Sequence, residues 1–360
     1  MYTGKWVWRL IAVTVIASSA ACGGGGSGGA APGTGEINGD LPNMGLQGTL
    51  YYFGTSGFES IDLTNPVIKN MGVGRPPLLA LSTSNDGTEH TLNIRTDQVF
   101  FEKIVIMDNH EKVISSFSIE SYATGLAQQS PDKQFIAAGV EPYGFYNIPY
   151  GRARELRIYD RSGTILRDIE DDEENNWIHS SWAWTQDGRL LISFSKRGLY
   201  ILDDVLGSQP RLLKSFMRSS DSITTPLYMT VSPDNTKVAF TLYDDRQLYV
   251  MNLDGTGLVQ ITKSDITVIT GGIAWSPDGQ FLAVTAASFP ANICLGRDTL
   301  LIRSVAKNAE LPDLWGHTNP EYTWDSPYNF QSDDVFQLEY VSDSGYLIHG
   351  LCVHENLSWR

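Results

Sequence analysis

Gly272-Ile273-Ala274-Trp275-Ser276-Pro277-Asp278-Gly279-Gln280-Phe281-Leu282-Ala283-Val284-Thr285-Ala286 sets an apolar run, a tight polar turn and a second apolar run end to end. Pro presets φ at its turn position, Asp bonds the backbone two residues on, and Gly tolerates φ > 0. The stretch therefore reads as a β-hairpin. Its turn recurs as Ser130-Pro131-Asp132-Lys133, Thr185-Gln186-Asp187-Gly188 and Ser232-Pro233-Asp234-Asn235, ahead of the apolar runs 135–140, 190–194 and 238–242. Asn85-Asp86-Gly87 and Ser342-Asp343-Ser344-Gly345 are weaker copies that extend the series to six. Successive Asp markers stand 46, 55, 47, 44 and 65 residues apart. A four-stranded propeller blade takes about 40–50 residues, so each step fits one blade and the longer steps carry insertions.

The pattern after the turn repeats too, most clearly in residues 230–262, TVSPDNTKVAFTLYDDRQLYVMNLDGTGLVQIT. That stretch and residues 272–286 resemble the PD40 repeat of the TolB-type β-propellers, to which WD40 propellers are distantly similar in architecture. The resemblance covers residues 46–360 unevenly. It implies an all-β β-propeller, and no cofactor is expected. It departs from TolB in that no α/β domain precedes the propeller, so the role of TolB in its envelope complex is not carried over.

Reading outward from the turns, blades are expected near 78–118, 122–169, 180–216, 226–262 and 270–311. Two fragments remain. Residues 49–53, 58–63 and 67–71 read as later strands of a blade, and residues 335–341 and 346–352 as first strands of one. Left apart, they would expose two strand edges. Pairing the N- and C-terminal strands into one composite blade closes the ring at six.

Lys5 and Arg9 flank the short apolar run 10–16, and Ala20-Ala21 precede Cys22. This reads as a secretory signal over residues 1–21, too short to span a bilayer. The small residues before Cys22 resemble the lipobox of bacterial lipoproteins, in which the Cys is acylated. Gly23-Gly24-Gly25-Gly26-Ser27-Gly28-Gly29 follows, and residues 22–45 read as a flexible tether ahead of a propeller at 46–360. With Gly23 rather than Asp after Cys22, the lipoprotein sorting pattern implies the periplasmic face of the outer membrane, with lipid as the only membrane attachment.

The formal net charge is −15, and the leader holds two of the cations. Such a balance repels phosphate backbones and anionic headgroups, which argues against a nucleic-acid partner. A hydrophobic content of 42% and an aromatic content of 11% suit a folded domain.

Propeller order places the turn hairpins on one face and the second-to-third-strand loops, with the interblade connections, around the mouth of the other. Two insertions are assigned to that mouth. Residues 141–150 carry Tyr143, Phe145, Tyr146 and Tyr150, which either stack on a sugar or peptide or pack on themselves as a lid. Residues 315–328, read as lying between the last two blades, carry Tyr322 and Trp324, and are either a self-packed excursion or part of the same site. Trp177 joins them from an interblade loop. The acidic run 170–174 lacks the ligand spacing of a Ca²⁺ loop and reads as solvated, so no metal site is assigned.

With Cys22 acylated, Cys294 and Cys352 are left, and in an oxidising compartment they are expected to form a disulfide across neighbouring blades. No catalytic residue is assigned, for there is no nucleophile elbow, zinc-binding His pair or phosphate-binding glycine loop. The expected function is non-enzymatic binding or scaffolding of an envelope protein or glycan at the mouth. The alternative is a hydrolase or lyase acting there on an envelope glycan or lactone.

Overall fold

The computed structural model describes residues 46–53, 57–64, 68–74, 78–96, 101–120, 127–140, 152–153, 155–170, 178–194, 197–216, 224–288, 298–311, 334–337, 339–341, 347–349 and 357–360. All belong to one unit, residues 36–360. Every regular element among them is a β-strand.

The strands form six blades. Inner strand first, blade 1 is Leu78–Thr83, Glu89–Arg95, Phe101–Asp108 and Val113–Glu120. Blade 2 is Ala127–Gln129, Phe135–Val140, Glu155–Asp160 and Ile165–Glu170. Blade 3 is Ile178–Trp184, Leu190–Phe194, Gly198–Leu202 and Arg211–Lys214. Blade 4 is Pro226–Val231, Lys237–Leu242, Leu248–Asn252 and Val259–Gln260. Blade 5 is Thr267–Trp275, Phe281–Ser288, Asp298–Arg303 and Val335–Gln337. Blade 6 is Leu357–Trp359, Thr49–Phe53, Gly57–Asp62 and Ile68–Gly74. Each inner strand touches those of the two neighbouring blades, so the six close a ring around one axis.

Both faces of a blade are buried, which is why its central strands are apolar at successive positions rather than at alternate ones. In blade 2, Ile136 and Ala138 pack against Ile104 and Ile106 of blade 1. Ala137, between them, packs against Trp182 and Ile192 of blade 3. The apolar core is accordingly divided into clusters that each fill one gap between neighbouring blades.

One device makes the turns. In the copy at Ser276, its hydroxyl donates to Asp278 at 2.6 Å, the Gly279 N–H returns to the Ser276 carbonyl at 2.9 Å, and the Phe281 N–H donates to the Ser276 hydroxyl at 2.9 Å. The fourth residue has positive φ in every described copy: Gly87, Lys133, Gly188, Asn235 and Gly279. A type I turn with a left-handed residue after it makes a bulged hairpin that follows strand twist. Ser84 to Asp86 obeys the same pattern, so the weak first copy is a full one.

Ring closure differs in detail from expectation. The N-terminal strands do pair with a C-terminal one, but that strand is Leu357–Trp359, in the register Leu50↔Trp359, Tyr51↔Ser358 and Tyr52↔Leu357. Val335–Gln337 is instead the outer strand of blade 5. Blade 5 needs it because Ala309–Glu310 pairs in parallel with Thr262–Lys263. Glu339–Val341 and Leu347–His349 form a separate antiparallel pair, so Asp343 does not mark a blade. The inner-to-second-strand junction of blade 6 has no hairpin turn. There Thr49 and Arg360 exchange backbone hydrogen bonds, 2.5 Å from Thr49 N and 2.9 Å from Arg360 N.

Trp359 explains why Leu357–Trp359 takes that place. Trp184 and Trp275 end the inner strands of blades 3 and 5, and their indole N–H groups donate to Gln128 O at 3.1 Å and Thr230 O at 3.2 Å in the preceding blades. Trp359 holds the equivalent position in blade 6, fully buried, and donates to Gln47 O at 2.8 Å.

Candidate functional site

Inner strands run towards the turns, so the turn tips cluster at one end of the axis and the mouth is at the other. The turn end is crossed by side chains. Arg360 Nη2 donates to Asn85 Oδ1 at 3.3 Å, Asn85 Nδ2 to Gln186 Oε1 at 2.7 Å, and the Gln186 N–H to Asn235 Oδ1 at 2.9 Å. Asn85 belongs to blade 1 and Gln186 to blade 3, which are not neighbours. Their contact therefore spans the axis. The second and fourth turn positions, read in the sequence only as turn formers, thus place amides across this end.

The turn carboxylates are committed to structure. Burial raises the pKa of Asp187, but hydrogen bonds from Arg189, Thr185 and Asn235 outweigh it and hold the group down to about 2. Asp86 is held low against its burial by Lys133 at 2.7 Å, with help from Ser84 and Thr88. Groups held ionised in this way cannot act as acids or bases near neutrality.

At the opposite end lies the connection between the second and third strands of blade 2. It leaves at Val140 and returns through Arg152–Ala153, which pairs antiparallel with Ile178–His179 at the start of the inner strand of blade 3. The sheet order places Arg152–Ala153 beyond that inner strand, on its axial side. The chain bearing Tyr143, Phe145, Tyr146 and Tyr150 is thereby rooted at the mouth, and Trp177 directly precedes Ile178. The side chains of these five residues lie outside the described residues. A two-residue strand has no periodicity, so nothing in the sequence announced this pairing.

The second insertion has different roots. It lies within blade 5, between the third and outer strands, and not between blades. It leaves at Leu311, whose N–H donates to Lys263 O at 3.1 Å, and returns at Asp334, whose carbonyl accepts from Arg303 N at 2.9 Å on the turn side. Tyr322 and Trp324 lie outside the described residues, as do Cys22, Cys294, Cys352 and the acidic run 171–174. Among the described residues, no three His, Cys, Asp or Glu side chains converge on a point that could hold a metal, and no helix is long and apolar enough to cross a membrane.

No protein-family model matches the chain. The crystal structure of TolB from Acinetobacter baumannii superposes with a TM-score of 0.53 at 14% identity, covering 88% of this chain and 68% of that one. This chain has a TolB-like β-propeller fold. A Lactobacillus plantarum protein of known structure matches this TolB-like propeller with a TM-score of 0.52 at 12% identity, over 88% of this chain and 99% of its own. In sequence, the Tol-Pal system protein TolB of Alcanivorax borkumensis is 31% identical over 106 residues, 26% of this chain and 23% of the relative. The chain thus aligns with about a quarter of that relative's length.

Proposed function

We propose that this chain is a non-enzymatic binding propeller of the bacterial cell envelope, which engages a protein or glycan partner at its mouth. The supporting observation is the pairing of Arg152–Ala153 with Ile178–His179, which brings the roots of the aromatic loop and of Trp177 together on the axis. The opposite end is crossed by the Asn85–Gln186–Asn235 chain. Tyr143, Phe145, Tyr146, Tyr150 and Trp177 supply the contact area; Tyr322 and Trp324 belong to an excursion that returns on the turn side and are left out of this proposal. Rigid aromatic side chains give large contact area at small conformational cost. The likeness to a Tol-Pal system protein supports an envelope setting.

Residues 1–21 act as the signal, Cys22 carries lipid at the periplasmic face of the outer membrane, and residues 22–45 are the tether. A Cys22→Ala variant is expected to move from the membrane fraction to the soluble periplasm. Retention on membranes after a high-salt wash would refute the anchor.

Capture from envelope extracts tests the binding role. Tyr146→Ala with Trp177→Ala should abolish capture of the partner while leaving the melting temperature nearly unchanged. Equal capture by the double variant would exclude the aromatic loop, and turnover of an envelope glycan or lactone by the purified chain would favour a hydrolase or lyase instead.

A further inference from the structure

Arg246 stands apart from the other arginines whose side chains are described. Each of those is engaged by a carboxylate, as Arg157 by Asp168 at 2.7 Å, by a carbonyl, as Arg360 by Ser84, or by an aromatic ring, as Arg303 by Phe281 at 5.4 Å. Arg246 is half-buried, and its side chain makes no hydrogen bond, ion pair or ring contact with the described residues. A guanidinium keeps its charge and carries five donors in a planar fork that matches a carboxylate.

The loop that presents it is fixed on several sides. It joins the second and third strands of blade 4, at the mouth. The Arg246 N–H donates to Leu242 O at 2.8 Å, and its carbonyl accepts from Ile269 N at 2.9 Å, on the inner strand of blade 5. Gln247, 2% exposed, donates to Thr267 O at 3.0 Å on that same strand. Asp245 is already engaged, accepting from the Gln247 N–H at 3.0 Å and the Tyr249 hydroxyl at 2.6 Å. The backbone at Arg246 is left-handed, with φ 51°, which glycine adopts more readily than a residue with a side chain. Two exposed apolar residues stand in the same two connections: Tyr243, 47% exposed, and Ile266, 43%. The other exposed large apolar residues lie on outer strands or on the turn-side connections leading to them.

We propose that Tyr243, Arg246 and Ile266 form a contact patch that grips one carboxylate side chain of a protein partner. This rests on the mouth being the binding end, and it narrows the partner from protein or glycan to protein. An arginine fork binds a carboxylate in two-point fashion, and Arg and Tyr beside an aliphatic residue are the composition of a protein interface core. Asp244 and Asp265 are exposed in the same connections. They repel a polyanionic glycan, whereas a protein surface can meet them with cations of its own.

Carbodiimide coupling in envelope preparations from cells making the full chain tests the proposal. The reagent activates a carboxylate and leaves as the urea when an amine attacks, and a guanidinium does not react. Arg246→Lys should therefore gain an amide link from position 246 to an aspartate or glutamate of another polypeptide, identified by peptide mass spectrometry and absent from the parent. A link to a uronic acid, or no intermolecular link at that position, would overturn the proposal. Arg246→Gly should melt no lower than the parent, because glycine suits the left-handed backbone, yet capture from envelope extracts should fall at least about tenfold. A lowered melt that accounts for the lost capture would make Arg246 structural and overturn the patch. If Arg246→Gly captures like the parent while Tyr146→Ala with Trp177→Ala does not, the patch falls and binding at the mouth stands. If neither variant loses capture, both fall.

Discussion

Arg360 Nε donates to the carbonyl of Ser84 at 2.9 Å, so the residue that follows the closing strand of blade 6 caps the hairpin turn of blade 1. Its Nη2 also reaches Thr83 O and Asn85 Oδ1, each at 3.3 Å. Burial lowers the Arg360 pKa to about 10, with Asp86 opposing, and the guanidinium keeps its charge at neutral pH. Gly48 is held at φ 94° against this junction, where a Cβ would collide with the Arg360 carbonyl oxygen. The ring is thus joined by a fork of charge-assisted bonds where other blades have a turn.

Arg360→Ala should cost about 2 kcal/mol, because it strands carbonyls that the guanidinium satisfies. Arg360→Lys should recover only part of this, since an ammonium cannot reproduce the planar fork. Denaturant melts measure both. A melt of Arg360→Ala matching the parent would show that the cap does not hold the ring.

The repeated turn made most of the fold legible, because its Ser or Thr, Asp and left-handed fourth residue each have a bonding role that constrains residue type. The closing strand was missed for the converse reason. Leu357-Ser358-Trp359-Arg360 echoes Ile273-Ala274-Trp275-Ser276 and Trp182-Ala183-Trp184-Thr185, but the turn that would follow it is divided between distant parts of the chain. Residues 335–352, with a turn-like Asp343 between two apolar runs, offered a better local pattern, and only long-range packing decides against it. At the mouth, the aromatic loop was legible as excess length, whereas its anchoring through Arg152–Ala153 was not.

His90 gives the seam between blades 6 and 1 a pH dependence. Its Nε2 donates to Asn109 Oδ1 at 2.7 Å, leaving Nδ1 to accept from Thr83 Oγ1 at 3.1 Å, and Tyr51 and Phe58 of blade 6 pack on the ring at 4.7 and 4.9 Å. Burial lowers its pKa, against the Asn109 bond and the charge of Asp108. Below about pH 6.5 the unfolded chain takes up a proton that the folded chain resists, so stability is full above that pH and falls beneath it. Melting temperature should decline from pH 7 to pH 5, and His90→Gln should flatten the decline. A second loss is expected between about pH 4 and pH 2, as Asp187 becomes protonated. An unchanged slope in His90→Gln would remove His90 from the explanation.

The expected Cys294–Cys352 disulfide would tie the third-strand approach of blade 5 to the segment just before Leu357. Non-reducing peptide mapping should yield one cross-linked peptide, and loss of the bridge should cost about 2–5 kcal/mol. Two free thiols in protein recovered from the periplasm would end this assignment.

Site-specific photo-cross-linking in intact cells compares the two ends of the axis most directly. A photoreactive residue replacing Tyr146, on the loop rooted at the mouth, should trap one partner reproducibly, whereas the same residue replacing Pro277, on the turn face, should trap none. Trapping at position 277 with silence at position 146 would contradict binding at the mouth.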